Sequence, residues 1–273
     1  MIGLSDTSPD AERVLYEAYR RMSPARKWKN MSDDYRMARD LHAIGMRFRT
    51  PGVSVAEIQA SWLEHTLGFP CPVPIPGGLV DPVAQDYQAV LRFVIRALDR
   101  MGMKYAIGGS IASSMHGPGR FTRDADITVE PFPGRERVFV AAFDPNDFYV
   151  SSDAVRDAVR DRSTFNVIHP ATGYKIDFFV RKDEPFERSA FARRVTLPMS
   201  DVPDELVQIH SAEDIILFKL RWYVLGGRTS DRQLNDILGV MKTQGDALDT
   251  AYLDKWAAVL GVSDLLAELR ARV

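Results

Sequence analysis

Three aspartates and a glycine–serine turn carry the chemistry that this sequence could perform. Asp124 and Asp126 stand two residues apart in ADITVE, a stretch of alternating type. On an extended chain their carboxylates point to one face, while Ala125, Ile127 and Val129 point to the other and can enter a core. Neighbouring carboxylates disfavour each other's ionised form unless a cation neutralises them. Mg2+ is characteristically held by one or two carboxylates plus substrate phosphates. The same pair also fits a solvated strand edge, or Asp124 paired with Arg123 or Arg120. Asp177 is the single acid in YKIDFFV, flanked by Ile176, Phe178 and Phe179. A lone acid in such a strand is rarely fully buried unless paired or metal-bound, and an exposed position on a half-buried strand is the plain alternative. Upstream, Gly108-Gly109-Ser110 follows the apolar run MKYAIG and opens a stretch of helix-compatible small residues. Glycine lets backbone N–H groups approach a phosphate, the helix N-terminus adds a favourable partial charge, and Ser110 can donate its hydroxyl to the same oxygens. Strand-to-helix turns also use glycine for purely steric reasons.

The elements that must position these residues fall into blocks. Residues 1–68 read as a helical N-terminal block. AERVLYEAYRRM has apolar residues at helical spacing, Ser32 caps DDYRMARDLHAIGMRF, and Ser54 with Glu57 forms a capping-box pattern before IQASWLEHTL. Trp28, Tyr35 and Trp62 read as packing residues. Residues 69–82 are dense in proline and glycine and read as a linker. Residues 83–200 mix helix and strand: an amphipathic helix ending at Gly102, the strands MKYAIG and ADITVE, a hairpin of FNVIHP and YKIDFFV joined at ATG, and the strand RRVTLPM. Residues 201–273 read as helical again, with Ser211 capping AEDIILFKLRWYVLG and Ser230 or Asp231 starting RQLNDILGVMKTQG. The predicted class is therefore α+β: a small mixed sheet carrying the three aspartates, with helical regions at both ends.

Composition narrows the class of function. The chain has 273 residues, 45% of them hydrophobic and 26% charged, which is folded-protein composition. Lys and Arg number 35 against 37 Asp and Glu, so binding of nucleic acid through bulk charge is disfavoured and any phosphate ligand needs a few placed cations. No apolar run reaches the length of about eighteen residues that a spanning helix needs, so no membrane partner is expected. The beginning of the sequence shows no basic region followed by an apolar core, so no secretory signal is expected. The single cysteine, Cys71, excludes an intrachain disulfide. Together these features point to the cytoplasm.

The turn and the acids together resemble the signature of the nucleotidyltransferase superfamily with the DNA polymerase beta-type fold. That signature is a small hydrophobic residue, Gly, then Gly or Ser, a short gap, and Asp, a hydrophobic residue, and Asp or Glu. Gly109-Ser110, the stretch from Ile111 to Arg123, and Asp124-Ala125-Asp126-Ile127 match it, and Asp177 matches a third aspartate on a later strand. The resemblance covers residues 83–245, with the signature confined to Gly108–Ile127. Within the superfamily the chain is similar to the bacterial abortive-infection and toxin–antitoxin branch. There the core is followed by Ser-x-Glu-Asp-(apolar)-Lys and Arg-x-x-x-Asp-(apolar)-Asp helices, and SAEDIILFKL and RTSDRQLNDIL are similar.

The resemblance implies a two-metal nucleotidyltransferase core with Asp124, Asp126 and Asp177 as catalytic residues and ligands of Mg2+ (or Mn2+). It implies a nucleotide site at Gly108, Gly109, Ser110, Arg120, Arg123 and Lys219. The expected substrate is an NTP, and the acceptor an RNA 3′ end, a protein hydroxyl or a small molecule, with a toxin–antitoxin partner in view. For an RNA acceptor, Arg160, Arg162, Arg181, Lys182, Arg193 and Arg194 could supply a basic track. Lys219 also fits a surface lysine on an amphipathic helix. Asp231 and Asp236 are expected to pair with Arg228 and Arg232. His116 and His210 read as structural, because no ligand partners stand at metal spacing. A non-catalytic regulatory protein on the same fold is the alternative function.

Overall fold

The computed structural model describes residues 8–68, 87–202 and 204–273. The linker expected over 69–82 and the start of the helix that follows it lie outside the described residues. The chain begins with α1 (Pro9–Arg21), α2 (Pro24–Arg49) and α3 (Val55–Leu67). There follow α4 (Tyr87–Arg100), β1 (Tyr105–Ile107), α5 (Gly109–His116), β2 (Asp124–Val129) and α6 (Glu136–Ala141). Next come β3 (Tyr149–Val150), α7 (Ser152–Asp161), β4 (Thr164–His169), β5 (Tyr174–Val180), α8 (Pro185–Ala192) and β6 (Val195–Pro198). The chain closes with β7 (Leu206–Ile209), α9 (Ala212–Leu225), α10 (Asp231–Gln244), α11 (Thr250–Leu260) and α12 (Ser263–Arg270). The class is α+β, as expected, and the hairpin at ATG forms with β4 and β5 antiparallel. No helix among the described residues is long and apolar enough to cross a membrane.

These elements divide into two compact units. The first unit takes in Met1–Lys29, Ala106–Arg120 and Asp183–Val273, and the second Asn30–Tyr105 and Phe121–Lys182. In the first unit β1 runs parallel to β7, with Ile107 opposite Ile209, and β6 runs antiparallel to β7. Its core joins α8 to α12 through Phe186, Ile216, Leu220, Ile237 and Trp256. The chain at the end of α5 approaches α10 closely at Gly117 and Gly239. A Cβ at Gly117 would stand 3.0 Å from the Gly239 carbonyl carbon, and one at Gly239 would stand 2.8 Å from Pro118 Cδ. Helix α1 is clipped onto α10 by Arg20 Nε, which donates to the Thr243 carbonyl at 2.7 Å, and by the Lys242–Glu12 pair at 2.6 Å.

In the second unit the strand order is β3-β4-β5-β2, with β2 parallel to β5 and the other pairs antiparallel. Burial alternates strictly along β2 and β5. Ala125, Ile127, Val129, Tyr174, Ile176, Phe178 and Val180 fill the core, each large side chain contributing roughly 1.5–3 kcal/mol. The ring of Phe178 stacks on Phe165 at 5.0 Å and meets Phe139 edge-on at 5.3 Å. Helices α3 and α4 pack on β5. Tyr35 Oη and Trp62 Nε1 both donate to the Thr172 carbonyl at the hairpin tip, at 3.1 and 3.2 Å. The packing roles expected for Trp28, Tyr35 and Trp62 therefore hold.

Two elements depart from the sequence reading. Helix α2 does not begin at Ser32 but runs unbroken from Pro24, and Ser32 lies buried inside it. The buried stripe Trp28, Met31 and Tyr35 continues the helical period through the serine, so packing overrides the capping preference. Residues 206–209, expected in a helical region, form β7 instead. Val207 and Ile209 turn inward and Leu206 outward, a period of two that four residues between acids and a helix cap express only weakly.

Candidate functional site

In the second unit the alternation of β2 places Asp124 and Asp126 on its half-exposed face. The parallel register with β5 sets Asp126 opposite Asp177 and Asp124 opposite Lys175. All four charged side chains thus share one face of the sheet, with the apolar core behind it. Asp177 has two partners there: Lys175 Nζ at 2.6 Å on Oδ2, and the Asn166 amide of β4, which donates to Oδ1. Asp124 accepts from the Thr122 hydroxyl at 3.1 Å. Below this face Tyr174 is fully buried, and its hydroxyl is held well above the ordinary range by burial, with Tyr87, Asp124, Tyr35 and Asp126 adding to the effect.

The first unit holds the turn. Gly108 caps α5 in an extended conformation, and Gly109 begins the helix at φ +53°, a left-handed conformation that side chains strain against. Ser110 follows with its hydroxyl at the helix start. Its Oγ accepts from Arg120 Nη2 at 2.5 Å. The same guanidinium makes a two-point pair with Asp236 of α10, Nε to Oδ1 at 2.7 Å and Nη2 to Oδ2 at 2.8 Å. Lys219 of α9 donates to Asp236 Oδ2 at 2.8 Å and to Gln233 Oε1 at 3.1 Å. Burial alone would raise the Asp236 carboxyl, but the Arg120 hydrogen bond and the charges of Lys219 and Arg120 together hold it below the usual carboxylate range. The expected pairing of Asp236 with Arg228 and Arg232 does not occur. Its side chain is 8% exposed on the inward side of α10, whereas Asp231 and Arg232 are exposed on the outer side.

The sequence-derived cations are thus placed unevenly. Arg120 lies on Ser110 at the turn. Lys219 is buried on Asp236 rather than displayed as a surface lysine. Arg123 donates to the His65 carbonyl at 2.7 Å. Of the basic residues considered for an RNA track, Arg160 is paired with Asp157 and Asp161. Arg193 pairs with Glu213 and lies 3.8 Å over the Tyr252 ring. In the first unit His210 is buried and His116 half-buried. Burial lowers both imidazoles, His210 to about 4, and His116 Nε2 lies 2.8 Å from the His210 carbonyl.

Sequence reasoning did not single out Lys175, Asn166, Thr122 or Gln233. The first two were within reach of pattern. A period of two puts Lys175 on the face of Asp177, and folding the hairpin at ATG brings Asn166 opposite Asp177.

The chemistry of the donor set bears on a metal ion. Among the described residues no three His, Cys, Asp or Glu side chains form a group that could hold one ion. Asp177 is turned to Lys175 and Asn166 instead. Two carboxylates plus substrate phosphates are nevertheless a sufficient set for Mg2+. Asp124 and Asp126 fit an ion that arrives with a nucleotide, rather than a resident ion enclosed by protein ligands.

No protein-family model and no curated protein matches this chain. It is similar to the crystal structure of an antigenic nucleotidyltransferase-like protein from Paracoccidioides brasiliensis, with 19% identity and a TM-score of 0.42 over 67% of this chain and 92% of that one. It is also similar to the solution structure of the antibiotic-resistance factor ANT(2'')-Ia, with 14% identity and a TM-score of 0.37 over 64% of this chain and 96% of that one.

Proposed function

We propose that this chain is a metal-dependent nucleotidyltransferase that moves a nucleoside monophosphate from an NTP to a hydroxyl acceptor, an RNA 3′ end or a protein side chain, in the manner of a toxin-type enzyme. The observation that carries this reading is the register of the acidic strands, with Asp124 and Asp126 on one face and Asp177 beside Asp126. Three carboxylates gathered on one face repel one another, and a nucleotide-bound cation would offset that repulsion.

Asp124 and Asp126 would hold Mg2+ or Mn2+. Such an ion neutralises the triphosphate and polarises the phosphorus under attack. The acceptor oxygen forms a bond to the α-phosphorus, the bond from that phosphorus to the β-bridging oxygen breaks, and pyrophosphate leaves. Asp177 takes the acceptor's proton, a general-base task that Lys175 and Asn166 assist by fixing its carboxylate. Gly108 and Gly109 offer backbone N–H groups, and Ser110 its hydroxyl, to phosphate oxygens. Arg120, steadied by Asp236, supplies positive charge to the leaving pyrophosphate. Lys219 would act through Asp236, and Arg123 would have to leave the His65 carbonyl to touch phosphate.

The alternative reading is a non-catalytic regulatory or antitoxin-like protein of the same fold. One observation favours it, the lysine ammonium already seated on Asp177. Transfer of label from each α-labelled NTP to total cellular RNA and protein, with Mg2+ or Mn2+, separates the two. The expected result is labelled product that falls on the order of 10³-fold in the Asp124→Ala/Asp126→Ala double variant. Absence of both labelling and metal-dependent NTP binding would favour the regulatory protein.

A further inference from the structure

Helix α2 carries a second, unrelated feature. While Trp28, Met31 and Tyr35 are buried, Met37, Leu41, Ile44 and Phe48 lie on the outside at 58%, 61%, 59% and 87% exposure. Their spacing of four, three and four is that of the two core positions of a heptad seam. Exposure follows the same phase. In the span 37–48 the exposed residues are these four together with Asp40 and Arg47, and the residues between them are half-buried. Asp40 and Arg47 each immediately precede a seam residue, Leu41 and Phe48, and occupy the position that flanks a coiled-coil core. Four large apolar side chains aligned on one exposed helix face are not scattered surface hydrophobics, which occur singly.

We infer that this seam joins two copies of the chain as an antiparallel helix pair. The seam is complementary to itself under a two-fold axis between Leu41 and Ile44. Leu41 then packs on the partner copy's Ile44, and Met37 on its Phe48, twice by symmetry. The charges select the direction. Antiparallel pairing brings Asp40 alongside the second copy's Arg47 on both sides of the axis. Parallel pairing would set Asp40 near the second copy's Gly45 and leave both charges without a complement. A different partner protein would have no need of a seam whose apolar and charged residues match their own reversal. Because α2 is already anchored to its own unit through Tyr35, the pairing requires no new helix to form.

The test is the mass of the purified full chain by sedimentation or light scattering across a wide range of concentration. The expected result is a concentration-dependent rise from 30.7 kDa to the mass of a dimer. Leu41→Asp should return the chain to the monomer mass with unchanged circular dichroism, since the residue is exposed. Asp40→Arg should raise the dissociation constant roughly fivefold, the scale of two surface ion pairs turned repulsive, and adding Arg47→Asp should restore it. A chain that stays monomeric, a dimer indifferent to Leu41→Asp, or a charge swap that fails to restore association would each overturn the inference. None of these outcomes depends on nucleotidyl transfer.

Discussion

The two polar clusters of this protein are built from the same residue types and are balanced differently. Around Asp236 in the first unit, one carboxylate receives a two-point pair from Arg120 and an ammonium from Lys219, and the Gln233 amide oxygen accepts a further hydrogen bond from that ammonium. On the β2–β5 face of the second unit, Asp124, Asp126 and Asp177 stand together beside Lys175, whose ammonium is seated on Asp177. The first arrangement is closed: charge is matched inside the fold, and its task is to hold Arg120 on Ser110. The second gathers three carboxylates on a half-exposed face of the sheet. Paired buried charge suits a positioning role, whereas carboxylates clustered on an accessible face suit the binding of a cation.

This contrast can be broken most severely on the closed side. Asp236→Ala should leave Lys219 and Arg120 without their shared carboxylate and cost about 3–5 kcal/mol of stability, because Lys219 is buried. Chemical denaturation would read that loss, whereas Asp124→Ala on the open face should leave stability unchanged or slightly raised as repulsion is relieved. If the two variants lose equal stability, the distinction between the clusters fails.

A smaller effect is expected where the closed cluster is set in place. Gly239→Ala forces a Cβ to within 2.8 Å of Pro118 and should push α10 from α5 at a cost of about 1–3 kcal/mol. The same denaturation curves would show it, and an unaltered midpoint would mean that the close helix contact is not what sets Asp236 toward Arg120.

The smallest effect lies on the open side. Lys175→Met removes a cation from the acidic face and should tighten Mn2+ binding in the presence of nucleotide severalfold, on the order of the 1 kcal/mol carried by a partly exposed ion pair. Calorimetric titration would measure it. Weaker ion binding in that variant would instead make Lys175 part of the nucleotide's own recognition.

How much of this was legible in the sequence follows from the range of each interaction. Residues 124–129 alternate cleanly, and the ATG turn fixes the pairing of β4 with β5, so the common face of Asp124 and Asp126 and the place of Asn166 opposite Asp177 are local pattern, whereas the register that sets Asp126 opposite Asp177 is a long-range pairing of β2 with β5. The capping box at Ser54 and Glu57 and the caps at Ser211 and Ser230 are also local, and each is formed. The partners of Asp236 were not readable, because Arg120 and Lys219 lie on other helices and arrive only when α5, α9 and α10 pack. Nearby Arg228 and Arg232 made a plausible short-range pairing that the inward turn of α10 overrides. The unbroken start of α2 escaped notice for a related reason, since it depends on where Trp28 and Tyr35 are buried rather than on Ser32.

The most direct test of the acidic face is Mn2+ binding followed by electron paramagnetic resonance, with and without a non-hydrolysable NTP analogue. The wild-type chain should take up the ion strongly only when the nucleotide is present, and Asp124→Asn/Asp126→Asn should abolish this uptake while the fold persists. Nucleotide-dependent uptake that survives in the double variant, or no uptake by the wild type at all, would contradict an ion site on this face.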